Sequence, residues 1–253
     1  MIGMDSAYSK CPDVSKCWFK DKCSKFGTPN CSTVCTKFTQ TDYLFQLSNL
    51  PKVKQVVPKM DVTELSEYAY DLIDKIIQDV EFFVKSGYNL YLYGETGSGK
   101  TSWAIKILGT YFMTIAPKTN FTVRGLFINV PSLFRDIKLH MSYKSDNFYE
   151  MFHHIAKCDL VVWDEIGQTD PTAFESQWLY SLINDRMLAQ KSNIFTSNLS
   201  PDQLDRLDKR IGSRICTGSD CIEITGNDRR CDTKYTNYLS SQDVIGYGGG
   251  TGT

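Results

Sequence analysis

No stretch of this chain stays apolar long enough to span a bilayer. Its first residues lack a cationic stretch followed by an apolar run, so neither membrane insertion nor secretion is expected. Charge of one sign is missing too. The 28 Lys and Arg nearly cancel the 29 Asp and Glu, leaving a formal net charge of −1. There is no global basic field to draw in nucleic acid, and any DNA contact has to use a local patch. A third absence is the Cys-x-x-Cys pair of standard zinc ribbons, although nine cysteines are present. These absences imply a cytosolic setting, where a cysteine cluster points to metal more than to disulfides. What is there is ordinary for a soluble globular protein: 42% hydrophobic and 23% charged residues. A length of 253 residues holds one α/β domain plus a small appendage.

The stretch with the clearest chemistry is Tyr91-Leu-Tyr-Gly94-Glu95-Thr96-Gly97-Ser98-Gly99-Lys100-Thr101-Ser102. It reads as the end of a buried strand, a glycine loop and the start of a helix, and it fits the phosphate-binding P-loop pattern without a gap. Glycines let successive backbone N–H groups curl around phosphate oxygens. The positive end of the helix points at the same anion. Lys100 is placed to reach the β- and γ-phosphates of ATP, and the Thr101 hydroxyl to ligate Mg²⁺. Downstream, Asp159-Leu-Val-Val-Trp-Asp164-Glu165 reads as a central parallel strand with acidic residues at its carboxyl end. Asp164 suits the Mg²⁺ shell and Glu165 the general base for water.

Two further features narrow the class. Asn193-Ile-Phe-Thr-Ser-Asn198 is a short strand ending in polar groups, and Asn198 is a candidate to orient the water and sense the γ-phosphate. Arg206, Lys209, Arg210 and Arg214 then cluster, with Arg210 and Arg214 four apart on one helix face. A solvated basic face is the plain reading. The sharper one is an arginine finger entering a neighbouring subunit's ATP site.

Around this core the chain divides into four parts. Residues 1–39 are Cys-rich, with Cys11, Cys17, Cys23, Cys31 and Cys35 among polar residues that cannot bury enough surface to fold unaided. A structural zinc site would add about 10–16 kcal/mol of apparent binding energy. Cys17, Cys23, Cys31 and Cys35 are the favoured ligands, with Cys11 as the spare; an iron–sulfur cluster and unliganded thiols are the alternatives. Residues 40–60 form a linker in which Tyr43, Leu44, Leu47 and Leu50 make a short helix stopped by Pro51. Residues 61–231 hold the nucleotide domain. It opens with one helix from an Asp61 or Thr63 cap to Gly87, and continues with helices over 100–115, from Pro131 and over 140–157. The tail, 232–253, is Thr-, Asn-, Ser- and Gly-rich and expected to be disordered.

In this order, the two nucleotide motifs, the Asn198 strand and the Arg-x-x-x-Arg box resemble an AAA+ ATPase. Leu179-Tyr-Ser-Leu-Ile-Asn-Asp-Arg186, Thr196-Ser-Asn-Leu199, Arg210-Ile-Gly-Ser-Arg214 and Gly226-Asn-Asp-Arg-Arg230 resemble the DnaC/DnaI helicase-loader family, which includes the IstB transposition ATPases. The resemblance covers about residues 60–230. It implies a parallel sheet flanked by helices without a separate lid domain, and Mg-dependent ATP hydrolysis at subunit interfaces. It implies sensor 1 at Asn198 and a finger at Arg214, with Arg210 as the alternate. It implies a DnaB-type replicative helicase as partner, gripped by the N-terminal module. It also implies self-association, and single-stranded DNA along residues 131–157, where Lys138, His140, Tyr143, Lys144, His153 and His154 are candidates. A bacterial or phage-encoded loader is the leading expectation. A transposition-helper ATPase or a non-catalytic helicase-binding adaptor are the alternatives.

Overall fold

The computed structural model describes residues 17–20, 23–28, 31, 35–51, 65–118, 122–143 and 146–225, with the backbone alone for 140–143 and 146–148. Expectations for Cys11, Asp61, Thr63, Lys144, Gly226–Arg230, residues 52–60 of the linker and the 232–253 tail fall outside these residues, as do the side chains of His140 and Tyr143.

Five strands are described: β1 (Asn89–Tyr93), β2 (Gly125–Asn129), β3 (Leu160–Asp164), β4 (Ser192–Ser197) and β5 (Asp220–Glu223). All pair in parallel, in the order β2-β3-β4-β1-β5. The apolar runs of these strands follow from burial on both faces. Leu160 and Val162 of β3 face one core with Leu90, Leu92 and Ile194. Val161 and Trp163 face the other with Tyr91, Leu126 and Phe195. Period two therefore splits one run between two cores.

The first core is covered by α1 (Thr36–Leu47), α2 (Glu67–Gln78), α3 (Val80–Lys85) and α4 (Lys100–Ile115). The second is covered by α5 (Val130–Tyr143), α6 (Asp146–Lys157), α7 (Ala173–Leu188) and α8 (Lys209–Gly218). The single helix expected up to Gly87 is two, because Asp79 leaves the helical region (φ −131°, ψ 60°) and its carboxylate caps α3 by accepting from Phe82 N at 3.1 Å. The helix expected over 140–157 likewise divides, α5 running on to Tyr143. Within the 40–60 stretch, α1 buries Leu44 and Phe45 against the α4 core, and the Ser48 carbonyl accepts from Phe127 N at 2.7 Å on the outer edge of β2.

The expected four-cysteine metal module is not formed among the described residues, where no three His, Cys, Asp or Glu side chains come together as a metal site. Cys17 and Cys23 instead open separate turns, their carbonyls accepting from Lys20 N and Phe26 N, and Cys35 sits in extended backbone before α1. Apolar packing anchors this segment. Trp18 stacks on Phe38 and Phe45 at centroid distances of 4.5 and 5.2 Å.

Across the sheet from these helices, Arg186 of α7 is 1% exposed. It donates to Asn193 Oδ1 (2.7 Å) and to the carbonyls of Ile155 (2.6 Å), Cys158 (2.9 Å), Asp159 (3.4 Å) and Ser192 (2.6 Å). The guanidinium thus ties the end of α6 to the starts of β3 and β4. A buried cation is tolerable only when so fully bonded. Burial also pushes the neighbouring Cys158 thiol up to about 11, so it stays neutral.

Candidate nucleotide site

The carboxyl ends of the strands form one polar edge, where Lys100, Thr101, Asp164 and Glu165 lie together. Gly94, Gly97 and Gly99 take φ values of 140°, 84° and 100°, a region that favours glycine. At Gly94 a Cβ would also lie 2.3 Å from the Ile224 carbonyl oxygen, so the turn out of β1 admits nothing larger. Gly99 is the N-cap of α4 and provides no side-chain cap, which leaves the first N–H groups of a 16-residue helix without one.

Lys100 is 7% exposed, and its ammonium donates to the carbonyls of Gly94 (2.9 Å) and Glu95 (2.6 Å). Ser98 is buried, and its hydroxyl has no hydrogen-bond partner among the described residues. A buried orphan hydroxyl, an uncapped helix start and an inward cation fit the phosphates of a nucleotide.

Asp164, at the end of β3, is 3% exposed. One of its oxygens accepts from both Thr101 (2.7 Å) and Thr196 (2.8 Å) hydroxyls. Thr101 joins the two motifs directly, and Thr196 supports Asp164 from β4, which lies between β1 and β3. The Thr196 hydroxyl also accepts from Glu165 N at 3.0 Å, fixing the chain where Glu165 adopts φ 62°. The Glu165 carboxylate accepts from Asn129 Nδ2 at 2.8 Å, while Asn129 Oδ1 accepts from Ser132 N at 3.1 Å in the first turn of α5. Thr101 and Asp164 together offer the hydroxyl and carboxylate oxygens that Mg²⁺ prefers.

Asn129 and Thr196 were not among the expected site residues. Asn129 ends an apolar run as Asp164 does, and the two are register partners. That polar ending was the available signal. Asn198 lies just past β4 and is exposed, while Thr196 makes the contact to Asp164.

The two arginines of α8 are used differently. Arg210 donates Nε and Nη2 to the Asp208 carboxylate (3.1 and 2.7 Å) and Nη1 to Gln177 Oε1 (2.9 Å), with its guanidinium 4.9 Å over the Tyr180 ring. The Arg210 hydrogen bond holds the Asp208 carboxyl below its ordinary range. Arg214, one turn on, is exposed and makes no hydrogen bond or ion pair among the described residues. Of the residues expected to contact DNA, Lys138 pairs at 3.0 Å with Glu175, which is 2% exposed, so it is engaged in the fold. Burial alone would raise the Glu175 carboxyl; hydrogen bonds from Thr172 and Lys138 hold it low. His153 is exposed, and His154 lies 3.7 Å from Glu150.

Fold and site together define a P-loop ATPase core with its acidic strand one place removed from the loop strand, the AAA+ arrangement. Residues 37–236 match the family described as IstB-like ATP binding protein, and the chain belongs to that family. The chain is 25% identical over 155 residues to the chromosomal replication initiator protein DnaA of Ureaplasma parvum serovar 3, an alignment spanning 58% of this chain and 33% of that protein. It thus spans about a third of that curated relative. Among solved structures, DnaI aligns with a TM-score of 0.54 and 23% identity over 70% of this chain and 95% of that one. The DnaC helicase loader aligns with a TM-score of 0.53 and 20% identity over 66% and 93%. AMPPCP-bound DnaA from Aquifex aeolicus aligns with a TM-score of 0.54 and 18% identity over 73% and 54%. At these identities the likeness is one of fold. Among the described residues no helix is long and apolar enough to cross a membrane.

Proposed function

We propose that this chain is an ATP-dependent loader that places a hexameric replicative helicase on single-stranded DNA and hydrolyses ATP at interfaces between its own copies. The observation that carries this reading is the division of labour on α8. Arg210 is held within its own subunit, while the Arg214 side chain is exposed and unengaged among the described residues.

Bound ATP with Mg²⁺ supplies the phosphoanhydride to be split and the charge that polarises it. Gly94 to Ser102 wrap the phosphates, and Lys100 exchanges its loop carbonyls for phosphate oxygens. Thr101 and Asp164 hold the metal from adjoining positions. Glu165 takes the proton of the attacking water, its carboxylate aimed by Asn129. Arg214 completes the neighbouring copy's site, and Asn198 stands at its mouth as the sensor. The N-terminal segment, docked through Trp18, grips the helicase. Single-stranded DNA runs along α5 and α6, where Tyr149 (62% exposed) and His153 offer stacking and phosphate contacts. The likeness to DnaI and DnaC over nearly their whole solved lengths supports the loader reading.

A loading assay tests it. On protein-coated single strands that carry a duplex segment, replicative helicase should unwind the duplex only when this chain and ATP are both present. Loading that proceeds equally without the chain contradicts the proposal. The family match favours one second reading, an ATPase serving a transposase. Retention of a transposase rather than the helicase would decide for it.

A further inference from the structure

The sheet end opposite the nucleotide loop carries a second polar cluster. Arg124, Asp159 and Lys191 stand immediately before β2, β3 and β4. Asp159 accepts from Arg124 Nε at 2.5 Å, from the Tyr111 hydroxyl of α4 at 2.9 Å and from Lys191 Nζ at 3.1 Å. A cavity of about 340 Å³ opens over these groups, closed on its other side by Glu81, Val84 and Lys85 of α3. Glu81 is bonded in turn to Lys85 (2.8 Å) and Lys118 (3.0 Å).

Each carboxylate here is shared by two cations, and among the lining side chains Lys85, Arg124 and Lys191 outnumber Glu81 and Asp159 by one, with Lys118 pairing Glu81 from outside the lining. Burial alone would raise the Asp159 carboxyl, but its bonds to Arg124, Tyr111 and Lys191 hold it low and ionised. Arg124 meets Asp159 through Nε, so the fork of its terminal amino groups is not spent on that carboxylate. A guanidinium fork flanked by an ammonium suits a tetrahedral oxyanion. The volume is at the lower end of the range for small-molecule sites, roughly 300–1,000 Å³.

We propose that this cavity binds a phosphate-bearing anion, held by Arg124 and Lys191 with Lys85 at the rim. Two sources share that chemistry: a free phosphate ester and a backbone phosphate of nucleic acid. The occupant bridges α3, the far end of α4 and the starts of three strands, so it stiffens the sheet from the end remote from ATP. The site is independent of hydrolysis.

The test uses the full chain carrying Lys100→Ala, which disables the nucleotide loop, with inorganic pyrophosphate as the calorimetric probe. Saturable binding is expected, weakened tenfold or more by Arg124→Lys, which keeps a cation beside Asp159 and removes the fork. Lys191→Gln, at a half-exposed position, should weaken it severalfold with the thermal midpoint unchanged. Displacement of the probe by a single-stranded oligonucleotide would assign the phosphate to nucleic acid, and retention would assign it to a free ester; both uphold the site. Absence of saturable binding, or equal affinity in Arg124→Lys and Lys191→Gln, overturns the proposal.

Discussion

Among the described residues two cationic side chains are buried, Lys100 and Arg186, and they are buried differently. Lys100 leans on two carbonyls of its own loop, close to an orphan hydroxyl and an uncapped helix start. Arg186 is bonded to five oxygens drawn from α6, the connection into β3, and β4. The first arrangement is local and exchangeable, so an incoming phosphate can replace the carbonyls. The second is distributed and saturated, so nothing can replace it without separating the elements it joins. Chemistry sits where buried polar groups are left short of partners, and architecture where they are all satisfied.

The largest effect should come from breaking the saturated cation. Arg186→Leu removes a donor from five acceptors, of which Asn193 Oδ1 keeps Trp163 Nε1 and the Asp159 carbonyl keeps Ser192 N, and should cost about 3–5 kcal/mol, read as a lower urea midpoint. A loss below about 1 kcal/mol would mean those oxygens find other partners. Lys100→Ala should do the reverse, lowering ATP hydrolysis about a hundredfold or more while stability stays within about 1 kcal/mol. Loss of both together would erase the distinction between the two cations. Thr196→Val is intermediate, since it removes the hydroxyl that serves both Asp164 and Glu165 N. It should lower hydrolysis about tenfold and stability by about 1–2 kcal/mol. The smallest effect is expected from a metal chelator. Trp18 is held by Phe38 and Phe45, so the thermal midpoint should not move; a drop of several degrees would restore the four-cysteine zinc site.

What could be read in the sequence was contiguous. The glycine loop with Lys100 and Thr101, and the apolar run ending in Asp164 and Glu165, each complete their pattern within a dozen residues. The parallel sheet follows from runs buried on both faces. Asn129 and Thr196 escaped because register across neighbouring strands, not spacing along the chain, brings them to Glu165 and Asp164. The break at Asp79 escaped because the apolar repeat runs through it unbroken, while a carboxylate cap decides the backbone. The same limit applies to Arg210 and Arg214. Their spacing marked a shared face, but only Tyr180, Gln177 and Asp208 separate the clamped arginine from the exposed one.

The most direct test of hydrolysis shared between copies is a mixing experiment. Arg214→Ala keeps a base but presents no finger, and Glu165→Gln presents a finger but has no base. Each alone should be nearly inactive in ATP hydrolysis at high protein concentration, and mixing them should restore activity, because some interfaces then pair an intact base with an intact finger. Activity of Arg214→Ala equal to the parent, or no recovery on mixing two folded variants, would contradict the account.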